Sequence, residues 1–352
     1  MKIFHSIFEQ NLKASINSDG NIEFESGGAE FTPLVILQTD QDAYNSEFQA
    51  WLNDVWLDRH RSQLKRLLSF RNNAKRFYDL CAAVRGGSLV PMVGSGMSYA
   101  SGFPLWSDFL RNVRCFSSVE ESELEAMLNR GKYEEAVDRL ASDMGAPLFD
   151  EQVEHNLRVE ADGKIDGPVR LLPALFPSLV LTTNLDDVLE HVYEKFGKKL
   201  QYPLAGKDIE RYRRLHTGGS SCLLKLHGDC HRDDGRVLGV KEYNDAYGAG
   251  GGPREALSLI YKTRPLLWLG CSLSIDRTVS LAGELAKTDY QMPRHFALLQ
   301  QPSDDDILLV REKELSIRHI FPIWYDGDHD ECIETILVGI LDSLKCFEGM
   351  TL

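Results

Sequence analysis

Val90-Pro-Met-Val-Gly-Ser-Gly-Met-Ser-Tyr-Ala-Ser-Gly-Phe-Pro-Leu-Trp106 carries a short apolar strand, Leu89 to Val93, into the turn Gly94-Ser95-Gly96. Small and hydroxylated residues that can open a helix come next. Glycine lets a backbone approach an anion with no side chain in the way. The N–H groups and dipole of a helix start then suit a phosphate. Gly-x-Gly turns are common, so this one acquires meaning only from what accompanies it.

Three later segments accompany it. They are Leu179-Val-Leu-Thr-Thr-Asn-Leu-Asp186, Cys222-Leu-Leu-Lys-Leu-His-Gly-Asp229 and Pro265-Leu-Leu-Trp-Leu-Gly-Cys-Ser-Leu-Ser-Ile-Asp276. Each is an apolar run of buried-strand type whose C-terminal end carries functional groups. In open α/β sheets, ligands bind beyond the carboxyl ends of the strands. Four strands would therefore bring Gly and Ser, Asn and Asp, His, and again Gly and Ser to one edge.

Composition is compatible with a globular α/β chain. The 352 residues are 43% apolar and 26% charged, ordinary values for a packed core. A net charge of −14 argues against direct binding to nucleic acid or an anionic membrane, which needs a basic surface. Basic clusters at Arg59, Arg61, Lys65 and Arg66, and at Arg211, Arg213 and Arg214, read as solvated faces. No run reaches the ~18–20 apolar residues of a membrane span, and the N-terminus has no targeting pattern. The cysteines (Cys81, Cys115, Cys222, Cys230, Cys271, Cys332 and Cys346) are scattered, with no Cys-x-x-Cys pair. They read as reduced thiols, and the chain as cytoplasmic.

Along the chain, residues 1–42 suggest a helical start and two strands, Ile22 to Glu25 and Phe31 to Gln38, joined through Gly27-Gly28. From Tyr44 to Phe70, apolar residues recur at helical spacing: Phe48, Trp51, Leu52, Val55, Trp56, Leu64, Leu67 and Leu68. Asn72 to Val84 reads as the helix before the first strand, and Leu105 to Met144 as helical. Asp234-Gly235 marks a hairpin turn. Phe296 to Leu299 and Ile320 to Tyr325 read as late strands, and Ile333 to Leu344 as a closing helix.

The ordered motifs resemble the sirtuin superfamily, in its bacterial sirtuin-like branch. The matching marks are Gly94-Ser-Gly-x-Ser98 with Ser101-Gly-Phe-Pro104, Thr182-Thr-Asn-Leu-Asp186, Lys225-Leu-His-Gly-Asp229 and Gly270-Cys-Ser-Leu273. Weaker echoes are Glu242-Tyr243 and Ile323-Trp-Tyr325, and the likeness runs over residues 75–345. It implies an α/β fold: a Rossmann-like parallel sheet with helices on both faces, and a small helical subdomain at about 105–170 after the first strand. Residues 71–352 would form this NAD-binding domain, and residues 1–70 an N-terminal α/β extension that could serve as an assembly arm. The superfamily's deacylases hold a structural zinc with two Cys-x-x-Cys pairs. Here the pairs are missing, Cys222, Cys230 and His231 lack zinc spacing, and no structural zinc is expected. Pro104-Leu-Trp-Ser107 and Thr183 also depart from the deacylase pattern.

The chemistry follows from the substrate that the resemblance implies. Nicotinamide leaves NAD as a neutral molecule, so no general acid is needed, and the ribose becomes oxocarbenium-like, as in glycoside hydrolysis. The site must hold the ribose, stabilise positive charge and place a nucleophile. By resemblance, Asn184 orients water or a ribose hydroxyl, His227 accepts a proton as a partly free imidazole, and Asp186 sits near the nicotinamide amide. Gly94, Ser95, Gly96 and Ser98 would cradle phosphate. Gly270, Ser272 and Ser274 would line the adenosine side, and Thr183, Tyr243 and Tyr325 would add pocket walls. Asp229 reads as a turn anchor and Asp276 as a helix cap.

Sirtuin-like proteins without the zinc module are similar to anti-phage effectors that hydrolyse NAD to nicotinamide and ADP-ribose, in abortive infection. Such effectors work as homo-oligomers or beside a partner such as a HerA-like hexameric ATPase. The expectation is an NAD glycohydrolase of this kind. The alternatives are an NAD-dependent deacylase or ADP-ribosyltransferase, or a catalytically silent nucleotide-binding scaffold.

Overall fold

The computed structural model describes residues 2–19, 33–160, 163–196, 198, 200, 202–205, 209, 212, 221–274, 276–288 and 291–348. The chain divides into two compact units, Met1–Arg66 with Thr335–Leu352, and Leu67–Glu334.

The described elements of the first unit are helical: α1 (Lys2–Asp19), α2 (Pro33–Thr39), α3 (Gln41–Ala50), a π-helical stretch Trp51–Leu57, and most of α4 (Asp58–Leu68). Phe31 to Gln38 reads as a strand in the sequence, but residues 33–39 form α2. Proline is tolerated in a helix's first turn, because its missing N–H would have no partner there. Burial of Leu34 then outweighs the β propensity of Val35 and Ile36. Ile22 to Glu25 and Gly27-Gly28 lie outside the described residues. Phe4, Phe8, Phe48 and Trp56 are all buried. Phe4 meets Trp56 edge-on at 5.7 Å, and Phe347 at 5.2 Å. The aromatics that the sequence offers to an assembly contact are thus largely occupied within their own unit.

In the second unit, α5 (Asn73–Arg85) leads to β1 (Val90–Val93). Four helices follow: α6 (Trp106–Arg114), α7 (Glu121–Leu128), α8 (Tyr133–Met144) and α9 (Ala146–Leu157). Leu105 to Met144 is therefore helical with interruptions. One is at Ser117-Ser118 and another at Gly131, which has φ +69°. The amphipathic faces of α6–α9 form a core of their own around Phe109, Leu124, Leu140 and Val153.

The chain then runs through α10 (Leu172–Leu175), β2 (Leu179–Thr182), α11 (Val188–Lys195), β3 (Tyr202–Ala205) and β4 (Cys222–Lys225). After these come α12 (Val240–Tyr247), α13 (Gly252–Thr263), β5 (Leu266–Leu269), α14 (Arg277–Thr288), β6 (His295–Gln300), α15 (Asp305–Ile317), β7 (Ile320–Tyr325) and α16 (His329–Ser343). The sheet order is β3-β4-β2-β1-β5-β6-β7, and every pairing is parallel. The inner strands are buried on both faces, which explains their unbroken apolar runs. Edge strand β7 is stitched by Asn73, which accepts from the Trp324 N–H and donates to its carbonyl at 2.8 Å. The Asp234-Gly235 turn forms, but the only bridge beside it among the described residues is Asp229 with Arg232. Strands β2, β4 and β3 lie outward from β1 on one side, and β5, β6 and β7 on the other. That reversal opens a crevice at the carboxyl ends of β1 and β5.

Candidate functional site

A cleft of about 1300 Å³ occupies that crevice. Loops after β1, β2, β4, β5, β6 and β7 line it, together with parts of α6, α8 and α14. At its floor two glycine turns lie back to back. The Gly94 N–H donates to the Leu269 carbonyl at 2.8 Å, and the Gly96 N–H to the Gly270 carbonyl at 3.1 Å. A Cβ on Gly96 would lie 2.9 Å from the Gly270 Cα; one on Gly270 would lie 2.5 Å from the Met97 nitrogen. Gly270 also has φ +63°, and Leu273, further along the same loop, holds φ +53°. The Met97 and Ser98 N–H groups bond to the Gly94 and Ser95 carbonyls. The glycines therefore serve close backbone packing, and the Gly94, Gly96, Met97 and Ser98 amides are engaged inside the fold.

Asn184 and Asp186 stand on the wall after β2, both buried. Thr182 shapes this loop: its Oγ1 donates to the Val93 carbonyl and accepts from the Asn184 N–H, each at 2.9 Å. The Asn184 side-chain amide donates to the Ser98 hydroxyl at 3.2 Å. Burial pushes the Asp186 carboxyl up to about 6, against the opposing pull of Lys225 and a hydrogen bond from Ser98. The same carboxylate accepts from the Val188 N–H at the start of α11.

Lys225 lies beneath the wall, fully buried. Its ammonium donates to the Leu185 and Asp186 carbonyls at 3.2 and 2.9 Å, and to Glu190 and Asp229 at 2.8 Å each. Burial alone would lower its pKa, but the two carboxylates outweigh that and hold it above the ordinary value. One cation thus ties the asparagine loop to the histidine loop. Asp229 also accepts from the His231 N–H, the turn-anchoring role expected of it.

His227 projects from the loop after β4 between two phenols. Its Nε2 lies 2.8 Å from the Tyr247 hydroxyl, and its Nδ1 3.3 Å from that of Tyr243. The two tyrosines are one helical turn apart on α12 and stack at 6.1 Å. Burial drives the imidazole down to about 4, although Asp276 and Glu134 favour its charged form. The sequence suggests a partly ionised histidine; the structure makes it a neutral one at pH 7. Asp276 caps α14, accepting from the Thr278 N–H at 2.6 Å, and also lines the cleft. Glu134 on α8 pairs with Arg277 on α14 at 2.7 Å, both in the cleft wall.

Gly94, Ser95, Gly96, Thr183, Asn184, Asp186, His227, Tyr243, Gly270, Ser272, Ser274 and Tyr325 all line this one cleft. Ser98 does not. It is buried behind the wall with its hydroxyl on Asn184, which removes it from the expected phosphate ligands. Tyr247, Glu134, Arg277 and His329 line the cleft without having been singled out in the sequence. Tyr247 had a signal, its i,i+4 spacing from Tyr243 on one helix; Glu134 had none, because α8 reaches the site only through tertiary packing. Away from the cleft centre, ligand-type atoms of Asp187, Cys230 and His231 lie within 4.8 Å of one another. Asp187 there accepts from the Val159 N–H at 2.7 Å and pairs with His231 at 2.8 Å.

Residues 178–321 match the family model described as a SIR2-like domain. Over these residues the chain is similar to that family. The match begins just before β2 and covers the asparagine, histidine and β5 loops; the glycine turn after β1 precedes it. The chain is 23% identical over 284 residues to Defense-associated sirtuin 2 of Bacillus subtilis, covering 74% of this chain and 26% of that protein's length. Among solved structures, one reported as "The Structural basis for Sirtuin Substrate affinity" is 14% identical, covering 77% of this chain and 98% of its own, with a TM-score of 0.35. The sirtuin-like character therefore rests on the family match and the motifs. The α/β class rests on the parallel sheet itself. Among the described residues, no helix is long and apolar enough to cross a membrane.

Proposed function

We propose that this protein is an NAD glycohydrolase that cleaves NAD to nicotinamide and ADP-ribose, acting as a defence effector. The observation that carries the reading is the convergence of Asn184, Asp186 and His227 in one cleft beside the glycine turn, at the reversal point of a parallel sheet. The C1′–N bond breaks with its electron pair going to the pyridine nitrogen. Water then bonds to C1′ and releases a proton. Asp186, with a pKa near 6, is mainly ionised at pH 7 and supplies negative charge to the forming oxocarbenium ion. A neutral His227 adds no repelling charge, and its imidazole and the two phenols orient a ribose hydroxyl. Asn184, steadied by Ser98, positions the attacking water. Defence is supported by the likeness to a defence-associated sirtuin, and control by a partner protein or by self-assembly belongs to the same proposal.

The test is to incubate the full-length protein with NAD and follow nicotinamide and ADP-ribose by chromatography. Equal release of both, without added peptide and lost in Asn184→Ala, is expected. Release that requires an acetyl-lysine peptide would replace hydrolysis by deacylation.

A further inference from the structure

His329 is a cleft residue that the chemistry above does not use. It opens α16, and its imidazole reaches over the glycine turn: a Cβ on Gly96 would lie 2.9 Å from its Nε2. Nε2 is buried and has no hydrogen-bond partner among the described residues. A buried polar atom left unpaired calls for a ligand or for a stated cost. The other ring nitrogen is committed, since Nδ1 lies 2.6 Å from the Tyr325 hydroxyl.

The hydrogen-bond chain behind the ring sets which nitrogen carries the proton. Burial keeps the Tyr325 phenol protonated. With the phenol donating its proton to Nδ1, that nitrogen is an acceptor. In the neutral ring the remaining proton then resides on Nε2, and a protonated ring carries one there as well. In either state Nε2 is a donor aimed at the turn.

Such a donor adds to the few that the turn offers. The amides of Gly94, Gly96, Met97 and Ser98 are engaged with backbone carbonyls, and the Ser98 hydroxyl accepts from Asn184. A phosphate resting on Gly96 therefore meets a turn in which these four N–H donors face inward, leaving Ser95 as its cleft-lining donor. We propose that His329, held by Tyr325, is a phosphate-contacting residue of this site, its Nε2–H donating to a phosphate oxygen of the bound dinucleotide. This rests on the NAD reading above and adds a ligand residue to it.

The experiment measures ADP-ribose affinity of the full-length protein by calorimetry, together with the ³¹P resonances of the bound ligand. His329→Ala should weaken ADP-ribose by about tenfold, the scale of one charge-assisted hydrogen bond, and shift a ³¹P resonance. His329→Gln, which keeps an N–H donor at similar reach, should stay within about threefold of wild type. Tyr325→Phe frees Nδ1 to take the proton and should fall between them; it also provides the reading if His329→Ala does not fold. Unchanged affinity in both His329→Ala and Tyr325→Phe overturns the assignment. So does weaker binding with unmoved ³¹P resonances, which would put the contact on a ribose. A wild-type protein that binds neither NAD nor ADP-ribose overturns the NAD reading and this inference together, whereas wild-type binding without a His329 effect removes only the inference.

Discussion

At the scale of single residues, Asp186 and His227 carry opposite pH dependences in one window. The Asp186 pKa rises from 3.8 to about 6 on folding, so its contribution to stability is full below pH 3.8 and is lost as pH rises through about 6. The His227 pKa falls from 6.5 to about 4, so its contribution is present above pH 6.5 and is lost as pH falls through about 4. Each is on the order of 3 kcal/mol, and in the wild type they largely offset one another. Denaturant titrations from pH 4 to 7 should therefore show Asp186→Asn losing stability on acidification relative to wild type, and His227→Gln gaining it. Parallel curves for all three proteins would discard both shifts. The proposed NAD cleavage has its own dependence: its kcat should decline as pH drops through about 6, where Asp186 becomes neutral. Asn184→Ala should abolish turnover while leaving the melting temperature close to wild type. His227→Ala should abolish turnover too, but at a cost of roughly 1–3 kcal/mol, because the buried Tyr247 phenol and the half-buried Tyr243 phenol lose their common partner.

Among elements, the fold's weakest tolerance lies where two strand-end loops touch. Gly270→Ala puts a methyl 2.5 Å from the Met97 nitrogen in a backbone held at φ +63°. It should cost on the order of 1–3 kcal/mol by strain alone and misplace the glycine turn, so that circular dichroism survives while nucleotide binding is lost. Normal NAD affinity in this variant would show that the two loops need not touch. Lys225 plays the same part between β2 and β4. Lys225→Met strands Glu190 and Asp229 under the site and should destabilise by roughly 3–5 kcal/mol, as expected when one partner of a buried ion pair is removed. A melting temperature equal to wild type would show that those carboxylates find other partners.

For the molecule as a whole, the two units give the aromatic residues of the first 66 positions a local purpose. Trp56 is 3% exposed and meets Phe4, His60 and Phe347. Trp56→Ala should cost about 3–5 kcal/mol, as for a large ring removed from a core, and should leave the mass in solution unchanged. A changed mass with full stability, measured by light scattering and urea titration, would return this residue to an interface. Among the described residues of this unit, Val55, 58% exposed, is a large apolar side chain open to self-assembly.

The sequence by itself marked six of the seven strands, missing the edge strand β3, because strands buried on both faces must be written as unbroken apolar runs that end where the polar loops begin. It also determined that Asn184, Asp186 and His227 meet, since loops at the carboxyl ends of neighbouring parallel strands have nowhere else to go. Tertiary structure alone decided what those residues are chemically. Burial moves the Asp186 and His227 pKa values in opposite directions, and burial is a property of every element packed around them. It withdrew Ser98 from the cleft and turned the glycine amides inward, because Gly94 and Gly96 pack on a loop far along the chain. It made a helix of Pro33–Thr39, where β-branched residues suggest a strand. Local propensity there is worth tenths of a kcal/mol per residue, and burying one leucine side chain outweighs it.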